Sequence, residues 1–336
     1  MSPIAEKSAK RKFSRIWLSL FLYIAIAYLV SLSIEILIII LAPTEEALIS
    51  IYSNPFVSAA LGVLPMYLVG LPILFLTLRG METRKRKPIN ISAKEFFALF
   101  LVSVALMQFG AYISQVLSGA YSAAFGYEIQ NSTSEIIESW PLWLVFSLAV
   151  IIGPLVEEFI FRRLFIDRLS IFGDKTAIIV SSVAFSLHHG NLFQFFSSAL
   201  FGLVLGYIYV KTNKLRFSFL MHALINFLGS IIPISLTPLL DELTLLENAL
   251  QSGAAIDTGR YYLCLSVTLI YSIAMLTMMI IGATILFRNY RRVKIDPYKK
   301  IDIPRGRTFS ISILNLGAIL FIVETIALFV ISLLPA

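Results

Sequence analysis

Residues 16–42 read IWLSLFLYIAIAYLVSLSIEILIIILA, and Glu35 is the one charged side chain among them. A helix that crosses the hydrocarbon core of a bilayer needs about 20 consecutive, mostly apolar residues. This stretch exceeds that length, is too long for the apolar core of a signal peptide, and lacks a convincing small-residue cleavage site. It therefore predicts a transmembrane helix that is retained.

The apolar character extends over the whole chain of 336 residues, of which 58% are hydrophobic and 14% are charged. The mean hydropathy is +0.86, and a soluble globular chain carries about 25% charged residues. These values exclude an ordinary soluble enzyme fold, a coiled coil and a disordered chain. The single cysteine, Cys264, excludes an intrachain disulfide and a CxxC site. We expect an all-α fold, a polytopic bundle of membrane helices.

About nine segments are long enough, or nearly long enough, to cross a bilayer, and eight crossings are also possible. They are residues 16–42, 55–78, 96–119, 141–164, 176–189, 192–210, 217–234, 261–287 and 309–334. If the N-terminus lies in the cytoplasm and each segment crosses once, every Lys and Arg except Arg260 falls on the cytoplasmic side. Cytoplasmic loops are enriched in these residues, so we expect an N-in topology.

The formal net charge of +7 would by itself suggest a nucleic-acid partner. The basic residues are instead distributed by topology, on the side where they attract anionic lipid head groups. No folded soluble unit carries a basic patch interleaved with aromatic residues. We expect membrane lipid as a partner and no nucleic acid.

The chain divides into three predicted regions. Residues 1–139 form an N-terminal region of three transmembrane helices, residues 140–235 a core of four helices, and residues 236–336 an outer amphipathic segment followed by two C-terminal transmembrane helices. The outer segment is either a helix lying on the membrane face or a loop helix packed on its neighbours. The chain shows no internal repeat, which weakens a transporter interpretation.

Polar side chains within the apolar segments point to a site, because a charge at the centre of a membrane helix costs roughly 2.5–3.5 kcal/mol. All three histidines of the chain belong to this set. Three imidazoles near two carboxylates in an apolar bundle indicate a functional site. The set comprises Glu35, Glu157, Glu158, Arg162, His188, His189, His222, Asn226 and Glu324.

Spacing assigns different surroundings to the two adjacent glutamates. Glu158 and Arg162 are four residues apart on one helix face and can pair. Glu157 is rotated by about 100° from Glu158, so it remains available for chemistry. His222 and Asn226, also four residues apart, can act together on one substrate atom.

These residue types suit hydrolysis of an acyl bond, with a peptide bond as the leading candidate. A glutamate near neutral imidazoles can act as a general base on water, and an amide with an imidazole N–H can stabilise an oxyanion. Glu157, His189 and His222 also offer the ligand types of zinc, although their spacing is not HExxH. The cofactor therefore stays open between none and Zn²⁺.

Three motifs, Glu157-Glu158-xxx-Arg162, Phe185-xxx-His189 and His222-xxx-Asn226, occur in this order in apolar segments. Together they resemble the CPBP family of intramembrane proteases, which includes the type II CAAX prenyl endopeptidases and the bacterial Abi proteins of bacteriocin processing or immunity. The resemblance covers about residues 140–235 and implies that this region is the catalytic core. We expect an integral protein of a bacterial plasma membrane.

The resemblance also implies roles for the residues. Glu157 would be the catalytic base and would act with His189 on the attacking water. The oxyanion would be held by His222 and Asn226, and Glu158 with Arg162 would form the supporting pair. The neighbouring His188 could take the place of His189 if the fifth helix were wound differently by one residue.

The expected function is an intramembrane endopeptidase, either glutamate-dependent or a metalloprotease, that cleaves a peptide or a membrane-protein substrate. A first alternative is a non-catalytic membrane regulator or bacteriocin-immunity protein that binds a peptide or a partner. A second, less favoured alternative is a proton-coupled transporter, because buried glutamates and histidines also form proton relays.

Overall fold

A computed structural model describes residues 2–129, 131, 137–253 and 257–334. Throughout these ranges the regular structure is helical and no strand occurs, which confirms the predicted all-α class. In chain order the helices are α1 (Pro3–Leu41), α2 (Glu45–Tyr52), α3 (Pro55–Leu78), α4 (Ala93–Phe125), α5 (Leu142–Phe172), α6 (Asp174–His188), α7 (Leu192–Thr212), α8 (Leu215–Gln251), α9 (Thr258–Arg292), α10 (Thr308–Ile313) and α11 (Leu316–Ser332).

Seven helices in the described part of the chain are long and apolar enough to cross a membrane, namely α1, α3, α4, α5, α7, α8 and α9. The chain is an integral membrane protein. The other two predicted crossings are the 15-residue α6 and the 17-residue α11. At about 1.5 Å per residue, α6 is about 22 Å long, which is shorter than a hydrocarbon core of about 30 Å.

The predicted amphipathic segment after residue 235 is not a separate helix in the structure. It continues α8, which runs without interruption to Gln251 and contains Pro238 in its interior. Leu243 is its buried leucine, and the side chains of Leu240 and Leu250 are exposed.

The loops predicted to share one side of the membrane lie on one face of the structure, here called the basic face. Backbone hydrogen bonds connect them: Arg84 N–H donates to the carbonyl of Asp167 at 2.8 Å, and Lys300 N–H to that of Ile171 at 2.9 Å. The side chain of Asn213 joins the same group by donating to Arg86 O at 2.8 Å. The grouping of these loops agrees with the predicted alternation of crossings, and the cytoplasmic orientation of this face stays a prediction. The basic face comprises the N-terminus of α1 and residues 79–92, 167–175, 213–216 and 290–307.

Helix α1 is held at its first half by aromatic packing. Phe13 stacks on Phe172 with 4.5 Å between ring centroids, and Trp17 lies 5.4 Å from Phe321. The indole N–H of Trp17 also donates to Ser312 O at 2.7 Å. The helix thus joins the end of α5 to the C-terminal helices α10 and α11.

Helix α7 lies between α4 and α6 at close range. A Cβ at Gly110 of α4 would fall 2.5 Å from Ser197 N of α7, and a Cβ at Gly202 of α7 would fall 3.1 Å from Ser182 of α6. Both glycines therefore allow backbone approaches that a side chain would prevent. Helix α6 begins at the basic face and α7 returns to it, so the turn between them places His189 inside the bundle.

Candidate active site

A cavity of about 700 Å³ lies among α3, α5, the start of α7 and α8. Four residues predicted to be catalytic line it, namely Glu157, His189, His222 and Asn226. The fold therefore gathers side chains from three separate motifs around one space. Neither Glu35 nor Glu324 is among the described residues that line this cavity.

Irregular turns mark the helices around the cavity. π-Helical turns are often found at functional sites, because the wider turn re-aims side chains and leaves carbonyls without helical partners. Pro154 adds to this effect, since it has no amide hydrogen to donate to the preceding turn. The Nδ2 of Asn226 donates to Ala149 O at 2.8 Å, which ties α8 to α5 at this irregular point. The π turns are Pro65–Gly70, Phe146–Ile152, Phe159–Ile166 and Phe227–Ile231.

The ion pair expected from the four-residue spacing is present. Arg162 Nε donates to Glu158 Oε2 at 3.1 Å, and both side chains are fully buried. Arg162 Nη1 also donates to Ser181 Oγ at 3.1 Å, while Ser181 donates to Phe161 O at 2.7 Å. These contacts fix the pair in one geometry. Since a buried charge without its partner is costly, the pair depends on both members.

His222 lies between the two adjacent glutamates. Its Nδ1 is 3.1 Å from Glu158 Oε1, and its Nε2 is 3.5 Å from Glu157 Oε2. A carboxylate paired with Arg162 only accepts hydrogen bonds, so Nδ1 carries the hydrogen toward Glu158. Nε2 is then the ring nitrogen that faces Glu157.

Burial distinguishes the two glutamates as well. The side chain of Glu157 is 22% exposed, and that of Glu158 is 0% exposed. Glu157 lines the cavity and Glu158 does not. Of the two, Glu157 is the carboxylate that a water or a substrate in the cavity can reach.

Phe185 packs against two of the imidazoles. Its ring centroid lies 5.0 Å from that of His189 and 5.7 Å from that of His222, edge to face in both cases. His189 shares the cavity with Glu157, but within the described residues no hydrogen bond joins the two side chains directly. A water between them would have to complete that connection.

His188 has different surroundings from His189. Its ring packs against Tyr23 and Phe161, with centroid distances of 5.6 and 5.5 Å. It does not line the cavity, and its Nδ1 is buried without a hydrogen-bond partner in the described structure. The geometry therefore favours His189 over His188 as the histidine of the site.

The residues do not fit a zinc site in this conformation. Among the residues that the structure describes, no group of three His, Cys, Asp or Glu side chains is placed to hold a metal ion. The candidate ligands Glu157, His189 and His222 all border the cavity, and the Phe185 ring packs edge to face against both imidazoles.

Some residues of the site were not predicted from the sequence. Ser181 holds Arg162 in place, and Tyr67 and Gln194 line the cavity. A serine or tyrosine in an apolar helix is common, so no sequence signal distinguishes Ser181 or Tyr67. Gln194 lies in the first turn of α7, where its backbone N–H donates at 2.9 Å to Oδ1 of Asn191, the N-cap of that helix.

Residues 139–228 match the family model described as type II CAAX prenyl endopeptidase, Rce1-like. The resemblance to the CPBP family is confirmed for this region. The match contains all three motifs, from Glu157 to Asn226, and excludes α1, α3 and α4 as well as α9 to α11.

A curated bacterial protein is similar over a longer stretch. The chain is 25% identical over 155 residues to the "Putative membrane peptidase YdiL" of Bacillus subtilis (strain 168). The aligned part covers 44% of this chain and 62% of that relative. The chain thus spans about three-fifths of the curated relative that it matches. No solved structure matches the chain.

Proposed function

We propose that the chain is an intramembrane endopeptidase in which Glu157 activates a water molecule for attack on a peptide bond. One observation carries the proposal: Glu157 faces the cavity, while its neighbour Glu158 is buried in an ion pair, and His222 contacts both. The Glu157 carboxylate can accept a proton from water, while Arg162 neutralises the Glu158 carboxylate. The His222 imidazole links the two carboxylates, and this arrangement suits general-base catalysis with an oriented histidine. The match to an endopeptidase family over residues 139–228 supports the same activity.

In the proposed reaction, Glu157 and His189 hold a water in the cavity. Glu157 takes a proton as the water oxygen forms a bond to the carbonyl carbon of the substrate. The proton passes to His222 Nε2, and the resulting imidazolium is stabilised by the Glu158 carboxylate at Nδ1, 3.1 Å away. His222 then delivers this proton to the leaving amine as the C–N bond breaks.

The oxyanion formed in the addition step needs hydrogen-bond donors. Asn226 has two amide hydrogens, of which one is engaged with Ala149 O at 2.8 Å. The second hydrogen is assigned to the oxyanion in this proposal. Once protonated at Nε2, His222 supplies another donor, because its Nδ1 hydrogen remains with Glu158.

The shape of the cavity supports one route of entry. It extends to Ser58 near the start of α3 and to Trp140 just before α5. Both helices end at the basic face, so this end of the cavity lies on the opposite side. Between Glu157 and the basic face, the fully buried side chains of Glu158 and Arg162 block access to the cavity. We assign to the site a peptide or membrane-protein segment that enters from the side away from the basic face.

The test compares membranes that contain the wild type with membranes that contain Glu157→Gln. Mass spectrometry of peptide N- and C-termini should show new termini with the wild type and not with the variant, while both proteins remain folded and inserted. Glu324→Gln is the matched control, since Glu324 is a half-buried membrane carboxylate outside the cavity and this variant should cleave normally.

Identical termini with the wild type and with Glu157→Gln would contradict the proposal. A regulator or immunity protein would keep its biological effect in that variant, and a transporter would show substrate flux in sealed vesicles without new termini. A chelator added to the same assay tests for metal, and loss of cleavage would require a ligand geometry other than the one described.

A further inference from the structure

A second cavity, of about 620 Å³, lies at the basic face and shares no lining residue with the cavity of Glu157. Its walls are the loop of residues 84–87, the start of α6, the end of α7 and residues 292–296. We propose that this cavity is a binding site for a phosphate-bearing anion, with the head group of an anionic phospholipid as the first source. This site is independent of the proposed peptidase activity.

The charge of the cavity is unbalanced. Seven of its lining residues are Lys or Arg, and two are acidic, Asp174 and Asp296. Two acidic residues that do not line the cavity form ion pairs with two of its cations: Glu95 pairs with Lys211, and Asp167 pairs with Arg86. Cations remain in excess after these pairs are counted. Concentrated positive charge in a concave surface raises the local concentration of anions.

The cations of the cavity that form ion pairs differ from the others in their surroundings. Arg84 is fixed by Asp174 at 2.9 Å and Asp296 at 2.6 Å, and it stacks over the Tyr298 ring at 4.4 Å. These contacts build the wall of the cavity. By contrast, no ion pair is recorded in the described structure for the exposed side chains of Lys85, Lys87, Arg292 and Lys294.

Arg86 gives a second, independent indication of a ligand. Its side chain is only 8% exposed, and its Nη atoms bond to Asp167 at 3.3 Å and to Asp174 at 2.7 Å. Its Nε is buried and has no hydrogen-bond partner among the described residues. A buried donor without a partner destabilises the protein, and a phosphate oxygen would satisfy it. Arginine is well suited to phosphate because its donors form a planar fork.

The position of the cavity favours a lipid head group. Val210 near the end of α7 and Arg292 at the end of α9 both line it, so it lies where the membrane helices end and the head groups begin. Basic pockets between membrane helices bind anionic lipid head groups. The positive-inside rule accounts for cations on this side of the membrane, but it does not require them to enclose a cavity around a buried arginine.

The test uses the full chain in a neutral detergent and three probes: phosphatidylglycerol, phosphatidylcholine and inorganic phosphate. Binding is measured as the rise in thermal unfolding temperature with probe concentration. The variant is Lys87→Ala/Arg292→Ala, which removes two exposed cations of the cavity. The control is Lys7→Ala/Arg11→Ala, which makes the same charge change at two exposed residues of α1 outside the cavity.

We expect phosphatidylglycerol to bind the wild type and the control variant within twofold of each other, and to bind the cavity variant at least tenfold more weakly. Phosphatidylcholine should give no comparable shift. Inorganic phosphate that binds as tightly and competes with the lipid would assign the site to a free phosphate. The proposal is overturned if no probe binds, or if both double variants weaken binding equally.

Discussion

Oε1 of Glu158 lies 3.1 Å from Nδ1 of His222, although the two residues are 64 positions apart in the chain. A glutamate that the sequence assigns to a supporting ion pair is therefore also the direct partner of an imidazole in the proposed catalytic set. The contact fixes the orientation of the ring and the position of its hydrogen. It makes the supporting pair and the proposed catalytic residues one connected unit, from Arg162 through Glu158 and His222 to Glu157.

Glu158→Gln should reduce both stability and activity. The change leaves the Arg162 charge buried without its counter-ion, which costs about 3–5 kcal/mol, and it removes the acceptor for His222 Nδ1. Thermal unfolding in detergent should show a lower transition temperature than for Glu157→Gln, and cleavage should be lost in both.

The double variant Glu158→Leu/Arg162→Met separates these two effects. It removes both buried charges, so it should unfold at a higher temperature than Glu158→Gln and still fail to cleave. Equal stability of Glu158→Gln and the wild type would show that the buried pair does not have the importance assigned to it.

His189→Gln and His188→Leu should differ in activity. His189 lines the cavity beside Glu157, so its loss should lower kcat by about 10²–10⁴, as for a group that assists proton transfer. His188 packs among Tyr23 and Phe161, and leucine retains an apolar contact there. Steady-state kinetics on a cleaved peptide decides the matter, and the reverse order of activities would assign the role to His188.

Asn226→Ala should affect catalysis more than folding. Loss of an oxyanion donor typically lowers kcat by about 10²–10³. Loss of the hydrogen bond to Ala149 O, 2.8 Å long, should cost only about 1 kcal/mol. The measurement is kcat together with the unfolding temperature. A normal kcat with a large drop in stability would limit Asn226 to joining α5 and α8.

Gly110→Ala should destabilise the bundle. The added methyl would lie 2.5 Å from Ser197 N and 2.6 Å from Ser197 Cα, and overpacking of this kind costs about 1–3 kcal/mol. Gly119→Ala, in the same helix, meets no atom within 4 Å and should be neutral or slightly stabilising. The comparison of their unfolding temperatures tests the close approach of α4 to α7, and equal values would contradict it.

Much of the helix pattern was predictable from the sequence, because a membrane helix must satisfy its backbone hydrogen bonds internally and therefore needs a long apolar run. The limits of α3, Pro55–Leu78, agree with the predicted segment 55–78. The fifth segment, predicted as residues 176–189, also agrees with α6, Asp174–His188, within two residues. Length and hydropathy do not reveal that this helix ends inside the bundle, since that depends on where its neighbours allow the chain to turn.

For the candidate site, the sequence by itself determined the residue types and their local spacing: Glu158 with Arg162, and His222 with Asn226, each one helical turn apart. A helix fixes such neighbours because it has 3.6 residues per turn, so residues four apart lie on the same face. Only the tertiary structure decided that His222 contacts both glutamates and that Phe185 packs against both His222 and His189. Contacts between helices depend on how side chains pack at the crossing, and no periodicity within one helix encodes that arrangement.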